Sequence, residues 1–237
     1  MLGKQVSVHG LAGQAAIWNT RAMSWFALAL LLAYLIGSLS GSLLLGRFVG
    51  VDIRNRGSGN AGGTNAFRTL GWKFALGVVA IDIGKGALAG GIGLASHGVS
   101  SPFSAQAQGL ACIAAAVLGH TWPVFFGFRG GKGAATLAGG IAALWPFALL
   151  PLLVAWLLVL TTTGYVGLST ICAGLALPVL AWWQGAISFS DPRLAFALFA
   201  AAFLLFTHRE NLQRLVRGNE SRFERVRVWK RWFGSRA

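Results

Sequence analysis

The sequence predicts an all-α, polytopic integral membrane protein of about seven transmembrane helices, with its N-terminus outside and its C-terminus cytoplasmic. Three observations predict it. The chain of 237 residues is 55% hydrophobic and only 11% charged, whereas soluble domains carry about 25% charged residues. Its apolar residues fall in runs that approach or exceed the ~18 residues that mark a membrane helix. The basic residues are also gathered in patches. Of 20 Lys and Arg, nine lie between Arg209 and Arg236 and five between Arg47 and Lys73, as expected of loops kept on the cytoplasmic side against anionic lipid.

The elements follow in order. Residues 1–22 are too polar to span and carry no clean cleavage site for a signal peptide. They are expected as a disordered tail, with Met23 an alternative start. Ser24 to Phe48 is the first span and Phe74 to Ser96 the second, followed by a short turn from His97 to Ser104 that lacks Lys and Arg. Ala105 to Gly119 is the third. Ala134 to Thr163 is too long for one crossing of ~20 residues and holds Trp145, Pro146 and Pro151. Proline breaks a helix from within. Val166 to Trp183 and Leu194 to Phe206 complete the set, with the polar turn Gly185 to Arg193 between them.

Charge decides how the long run is counted. For the basic segments around Arg47–Lys73, Arg129/Lys132 and the region after His208 to share one face, an even number of crossings must separate Lys132 from His208. Splitting the long run near Pro146 gives four, and hence seven in all. Leaving it whole gives the alternative of five. The expected organisation is a tail at 1–22, a membrane domain at 23–220 and a basic cytoplasmic tail at 221–237. Cys112 and Cys172 lie in apolar runs without metal or disulfide spacing and read as small hydrophobes.

Three polar clusters interrupt the apolar pattern on that one face. They are "RNRGSGNAGGTNAFRTLG" from Arg54, "GHTWPVFFGFRGGKGAAT" from Gly119 and "THRENLQRLVRG" from Thr207. Each joins a cation to hydroxyl or amide side chains. Glycines allow backbone N–H groups to turn toward an anion, and a helix N-terminus adds about half a positive charge. Gly130, Gly131, Lys132 and Gly133, ahead of the helix expected from Ala134, form such an arrangement. Ser58, Asn60, Thr64 and Asn65 offer polar side chains, and Arg68 can clamp a phosphate bidentately. Together the clusters point to an anion site.

Other chemistries are excluded. The nucleotide-binding pattern G-x-x-x-x-G-K-[ST] fails because Phe126 stands at the leading glycine and Gly133 follows Lys132. No H-E-x-x-H occurs, and the carboxylates number only six, Asp52, Asp82, Asp191, Glu210, Glu220 and Glu224, which argues against a two-carboxylate hydrolase or a multi-carboxylate metal site. No His is followed by an Asp five residues on, which removes the usual dyad of thioester-dependent acyl transfer to glycerol phosphate. A recognition module for nucleic acid is missing from the basic tail. Asp82 and Lys85, three apart in the second span, either pair with each other or extend the anion site. His120 at a helix end reads as a hydrogen-bonded interfacial histidine.

The segments "GSGNAGGTNAFRTLG", "GHTWPVFFGFRGGKGAAT" and "HRENLQRL" resemble the three signature motifs of the bacterial acyl-phosphate-dependent glycerol-3-phosphate acyltransferases, the PlsY family. The resemblance runs from about Tyr34 to Glu220. It departs mildly at Gly63, where alanine is usual, and at Arg129, where lysine is commoner. It implies a seven-helix inner-membrane enzyme, multi-pass, with its motifs on the cytoplasmic side. It also implies transfer of an acyl group from a long-chain acyl phosphate to the 1-hydroxyl of glycerol 3-phosphate, giving lysophosphatidate and phosphate, without cofactor or metal. Membrane lipids, and a soluble enzyme that makes acyl phosphate, are the implied partners, and nucleic acid is not one. Ser58, Arg68, Lys132, His208 and Asn211 are implied as the catalytic group on the glycerol-phosphate side. Gly62, Gly63, Thr64, Asn65, Gly131 and Gly133 would hold the acyl phosphate, with Asn60 and Gly130 beside them and Thr170 near the mouth. A transporter of a phosphorylated metabolite is the rival, but no repeat of either glycine block marks two related halves.

Overall fold

A computed structural model describes residues 8–98 and 101–224, with side chains described from residue 23 on. The described residues form ten α-helices and two 3-10 turns, without strands. The helices are α1 (Val8–Gly37), α2 (Gly41–Phe48), α3 (Gly63–Leu70), α4 (Trp72–Ala95), α5 (Ala105–Thr121), α6 (Ala134–Leu144), α7 (Pro146–Thr163), α8 (Val166–Trp183), α9 (Pro192–Thr207) and α10 (Arg209–Val216). Four of them, α4, α5, α7 and α8, are long and apolar enough to cross a membrane. The bent pair α1–α2 makes a fifth candidate, and α6 and α9 are shorter apolar helices. The protein is a multi-pass helical membrane protein.

Helix α4 is the hub, packed against α1, α2, α3, α5 and α6, while α8 holds α7 on one side and α9 on the other. Small residues make the close approaches. A Cβ on Gly86 of α4 would strike the Thr136 carbonyl of α6, and one on Gly139 would strike that of Ile83. In lipid, where apolar burial between helices gains little, such backbone proximity supplies the packing. The main apolar core joins Ile113 and Val117 of α5 to Leu137 and Ile141 of α6, Leu177 of α8 and Phe196 and Leu204 of α9.

The long run from Ala134 does divide, and at the expected place. Trp145 leaves helical geometry (φ −142°, ψ 56°) and Pro146 opens α7, a position where its missing N–H costs nothing. The indole of Trp145 bonds Gln184 at 2.8 Å, pinning the break to the end of α8. The first span differs from expectation. Ser24 to Phe48 is two helices bent by 48°, because Leu39 and Gly41 give their backbone groups to Lys85 and Asp82 rather than to a continuous helix. Residues 8–22, expected as a tail, have helical backbone continuous with α1. Residues 1–7, and 225–237 of the expected basic tail, lie outside the described residues.

Candidate active site

The first polar cluster folds around one side chain. Asn65 is 2% exposed. Its Oδ1 accepts from the Ser58 N–H at 3.0 Å, and its Nδ2 donates toward the carbonyls of Ile53, Arg56 and Asn60 at 2.9–3.1 Å. The amide expected to meet substrate is thus spent on shaping the loop. Ser58 remains exposed, while Asn60, Gly62, Gly63 and Thr64 are partly exposed where the loop enters α3. Arg54, not singled out from the sequence, pairs with Asp52 at 2.7 Å. It also donates to the carbonyls of Phe126 (2.8 Å) and Arg129 (3.2 Å), fastening the first cluster to the second.

In the second cluster the glycine N–H groups divide. Those of Gly130 and Gly131 turn inward to the carbonyls of Thr121 and His120, each at 3.1 Å, so these two do not serve the expected cradle through their N–H groups. Glycine is required at 131 for a different reason: a Cβ there would press on the His120 ring and on the Ala61 carbonyl at 2.8 Å. Gly133 takes φ +83° to start α6. The first turn of α6 keeps the unpaired N–H groups and partial positive charge of any helix N-terminus. Between these glycines stands Lys132, whose ammonium bonds the Asn211 side-chain oxygen. Its carbonyl accepts from the Thr207 hydroxyl at 3.2 Å, which seats the loop on the end of α9.

The third cluster completes the site. His208 is 5% exposed, and its Nδ1 donates to the Leu204 carbonyl at 2.9 Å. The ring therefore keeps an unprotonated Nε2. Burial, followed by the Lys132 charge, pushes the His208 pKa down to about 4. Burial, followed by Arg214, likewise lowers Lys132 to about 8. Asn211 continues the chain from Lys132: its Nδ2 donates to Glu220 at 2.5 Å, and Arg214 Nε meets the other Glu220 oxygen at 2.7 Å. Sequence reasoning missed Glu220 and Arg214, since Glu220 follows a turn at Gly218 (φ +74°) and no helical or strand period relates it to Asn211.

Beyond Glu220 the chain crosses the site as a strap. Ser221 accepts through its carbonyl from Arg68 at 3.3 Å, and the Arg68 guanidinium lies 4.5 Å from the Phe223 ring centre. The Phe223 N–H reaches the Gly164 carbonyl at 2.8 Å, and Arg222 lies over Tyr165. Burial lowers the Arg68 pKa, opposed by the Glu220 carboxylate. Lys132 and Asn211 are thus brought together directly, His208 stands beside them through the Thr207 contact to the Lys132 carbonyl, and Arg68 joins them through the strap. Ser58 makes no direct bond to that group. Thr170 holds Trp156 at 3.2 Å and the Val166 carbonyl at 3.0 Å, so its hydroxyl serves the α7–α8 contact.

Three polar loops of a helical membrane bundle thus converge cations, a neutral imidazole and a carboxamide at one end of the helices. That is a membrane protein with a cationic site suited to an anionic group. The comparisons with known proteins agree. The family model described as glycerol-3-phosphate acyltransferase matches residues 27–218, and the chain belongs to that family. It is 38% identical over 226 residues to the glycerol-3-phosphate acyltransferase of Chlorobaculum parvum, covering 84% of this chain and 97% of that one. It is 41% identical over 197 residues to that of Geobacillus kaustophilus, covering 82% and 94%. Among solved structures, PlsY (YgiH), an integral membrane glycerol 3-phosphate acyltransferase, in its glycerol 3-phosphate form superposes with a TM-score of 0.76 at 35% identity, over 88% of this chain and 98% of that one. Its lysophosphatidic acid form gives 0.75 at 34%.

Proposed function

We propose that this protein transfers a long-chain acyl group from acyl phosphate to the 1-hydroxyl of glycerol 3-phosphate, releasing phosphate, from the cytoplasmic side of the bacterial inner membrane. The observation that carries the reading is the bond of Lys132 to Asn211, with Thr207 seating the Lys132 loop next to His208, beside Arg214 and the strap-held Arg68. Seven crossings fit this placement if α1–α2, α6 and α9 each count as one. They put the loops holding Arg54, Lys132 and His208 on one face.

In the reaction the hydroxyl oxygen attacks the acyl carbonyl carbon. The new ester C–O bond forms as the bond from that carbon to the phosphate oxygen breaks. The hydroxyl proton must go to a base. His208, held near pKa 4, is weak for that role, since an effective base titrates near the working pH. Phosphate, with a second pKa of about 6, is closer. The leaving phosphate therefore takes the proton, and His208 Nε2 accepts a hydrogen bond that orients the hydroxyl. Ser58 and Arg68 serve the glycerol-phosphate side. The acyl phosphate lies between the loop at Gly62–Thr64, shaped by Asn65, and the start of α6 after Gly133. Lys132 neutralises charge between the two, and orientation supplies much of the remaining rate.

The test is purified protein in lipid, given labelled glycerol 3-phosphate with either palmitoyl phosphate or palmitoyl-coenzyme A. Labelled lysophosphatidate from palmitoyl phosphate alone is expected. Product from the thioester alone would overturn the donor. Binding of glycerol 3-phosphate with no product from either donor would favour a transporter.

A further inference from the structure

The charged groups inside the bundle are not accounted for by the cluster above. Asp82, Lys85 and His120 are 1%, 5% and 3% exposed, and ionisable groups at membrane depth are costly enough to mark a role. Their geometry closes on one atom. An ammonium has three protons, and Lys85 Nζ finds three acceptors: Asp82 Oδ1 at 2.8 Å, His120 Nδ1 at 2.8 Å and the Leu39 carbonyl at 3.1 Å. Asp82 Oδ1 also accepts from the Gly41 N–H at 3.1 Å and lies 3.4 Å from His120 Nδ1. Lysine only donates, so the short contact makes His120 Nδ1 an acceptor and leaves the ring proton on Nε2. That edge of the ring faces Gly131, where a Cβ would run into Nε2 and Cε1, with the Ala61 carbonyl close by. The His120 carbonyl takes the Gly131 N–H.

We propose that Asp82, Lys85 and His120 are positioning residues for acyl transfer. The α4 pair fixes the orientation and tautomer of the His120 ring. The ring and its carbonyl then fix where Gly130–Gly131 passes Ala61, and so where Lys132 and the start of α6 stand. The same ammonium holds the α1–α2 break at Leu39, so one buried contact sets both the helix geometry before the first motif and the course of the second. Misplacement by about 1 Å at such a point is enough to cost ~10²-fold in rate.

The proposal rests on the acyl-transfer reading, and two variants and a spectrum test it on the full-length protein in lipid. His120→Asn keeps an acceptor where Nδ1 stands, so Lys85 stays satisfied, but removes the edge against Gly131. Asp82→Asn with Lys85→Met removes both buried charges together. Both proteins are expected to insert, His120→Asn with a thermal midpoint near wild type and the double variant with a midpoint lowered by the loss of the Leu39 contact. The KM for glycerol 3-phosphate should stay within about threefold while kcat falls by about tenfold or more. A purely structural network predicts a different pattern, a lowered midpoint for both variants with wild-type kcat in whatever folds, and that result overturns the proposal. Should neither variant fold, ¹⁵N NMR of histidine-labelled wild type decides. A pyridine-like Nδ1 and pyrrole-like Nε2 at His120 are expected, and the other tautomer or an imidazolium overturns it. Wild-type protein that shows this tautomer yet transfers no acyl group would count against the functional reading instead.

Discussion

Lys132 is the residue on which the most converges. Lys132→Ala removes a charge-assisted hydrogen bond worth about 1.5–3 kcal/mol, so kcat/KM should fall by roughly 10–100-fold while insertion is unchanged. Steady-state kinetics in lipid check this. Its pKa gives a sign to the pH profile. The ammonium is lowered to about 8, so the charge is present below that pH and lost above it. A pH profile of kcat/KM should therefore hold up to near pH 8 and fall by about tenfold per unit beyond. Lys132→Arg, whose cation persists past pH 12, should remove that alkaline limb from the activity that remains. Asn65 tests a different kind of dependence. Asn65→Ala strands the Ser58 N–H and loop carbonyls, a loss of about 1–3 kcal/mol to be read as a lowered thermal midpoint together with reduced activity. Lys132 was legible because a cation in a glycine-rich loop between apolar runs has few other uses, whereas Asn211 and His208 came through the resemblance that their motif carries. Asn65 was legible as important but not in its role: residue type does not reveal whether a side chain faces outward or into its own loop.

At the scale of elements, the break at Trp145–Pro146 could be read from length and proline alone, because a span of fixed thickness cannot hold 30 residues. The break at Ser38–Ser40 could not. It has no proline, and its cause sits 41 residues away in Asp82, a contact that no local pattern carries. Helices α3 and α10 were hidden for a related reason: each is 8 residues long and polar, below the length at which periodicity speaks. The α4–α6 contact yields a prediction of its own. Gly86→Val would drive a side chain into the backbone at Thr136 and Gly140, and such overpacking costs about 1–3 kcal/mol. The expected result is a lower thermal midpoint in detergent with the site residues untouched. An unchanged midpoint would mean that α4 and α6 can separate without penalty.

Across the whole molecule, the matched family region covers 27–218, and the two ends beyond it should behave differently. Deleting 1–22 should leave acyl transfer at the wild-type level, measured in lipid, since no site residue lies there. Ending the chain after Gly218 should abolish it, because Glu220, Ser221 and Phe223 tie Asn211, Arg214, Arg68 and Gly164 together. The same strap has a consequence for how the protein is made. The clusters at Arg54, Lys132 and His208 leave the ribosome in that order, and the carboxylate that joins Asn211 to Arg214 comes after all three. The site is therefore complete only once Glu220 to Phe223 has been made and laid between Arg68 and Gly164, and a chain released before that segment is a membrane protein without an enzyme in it.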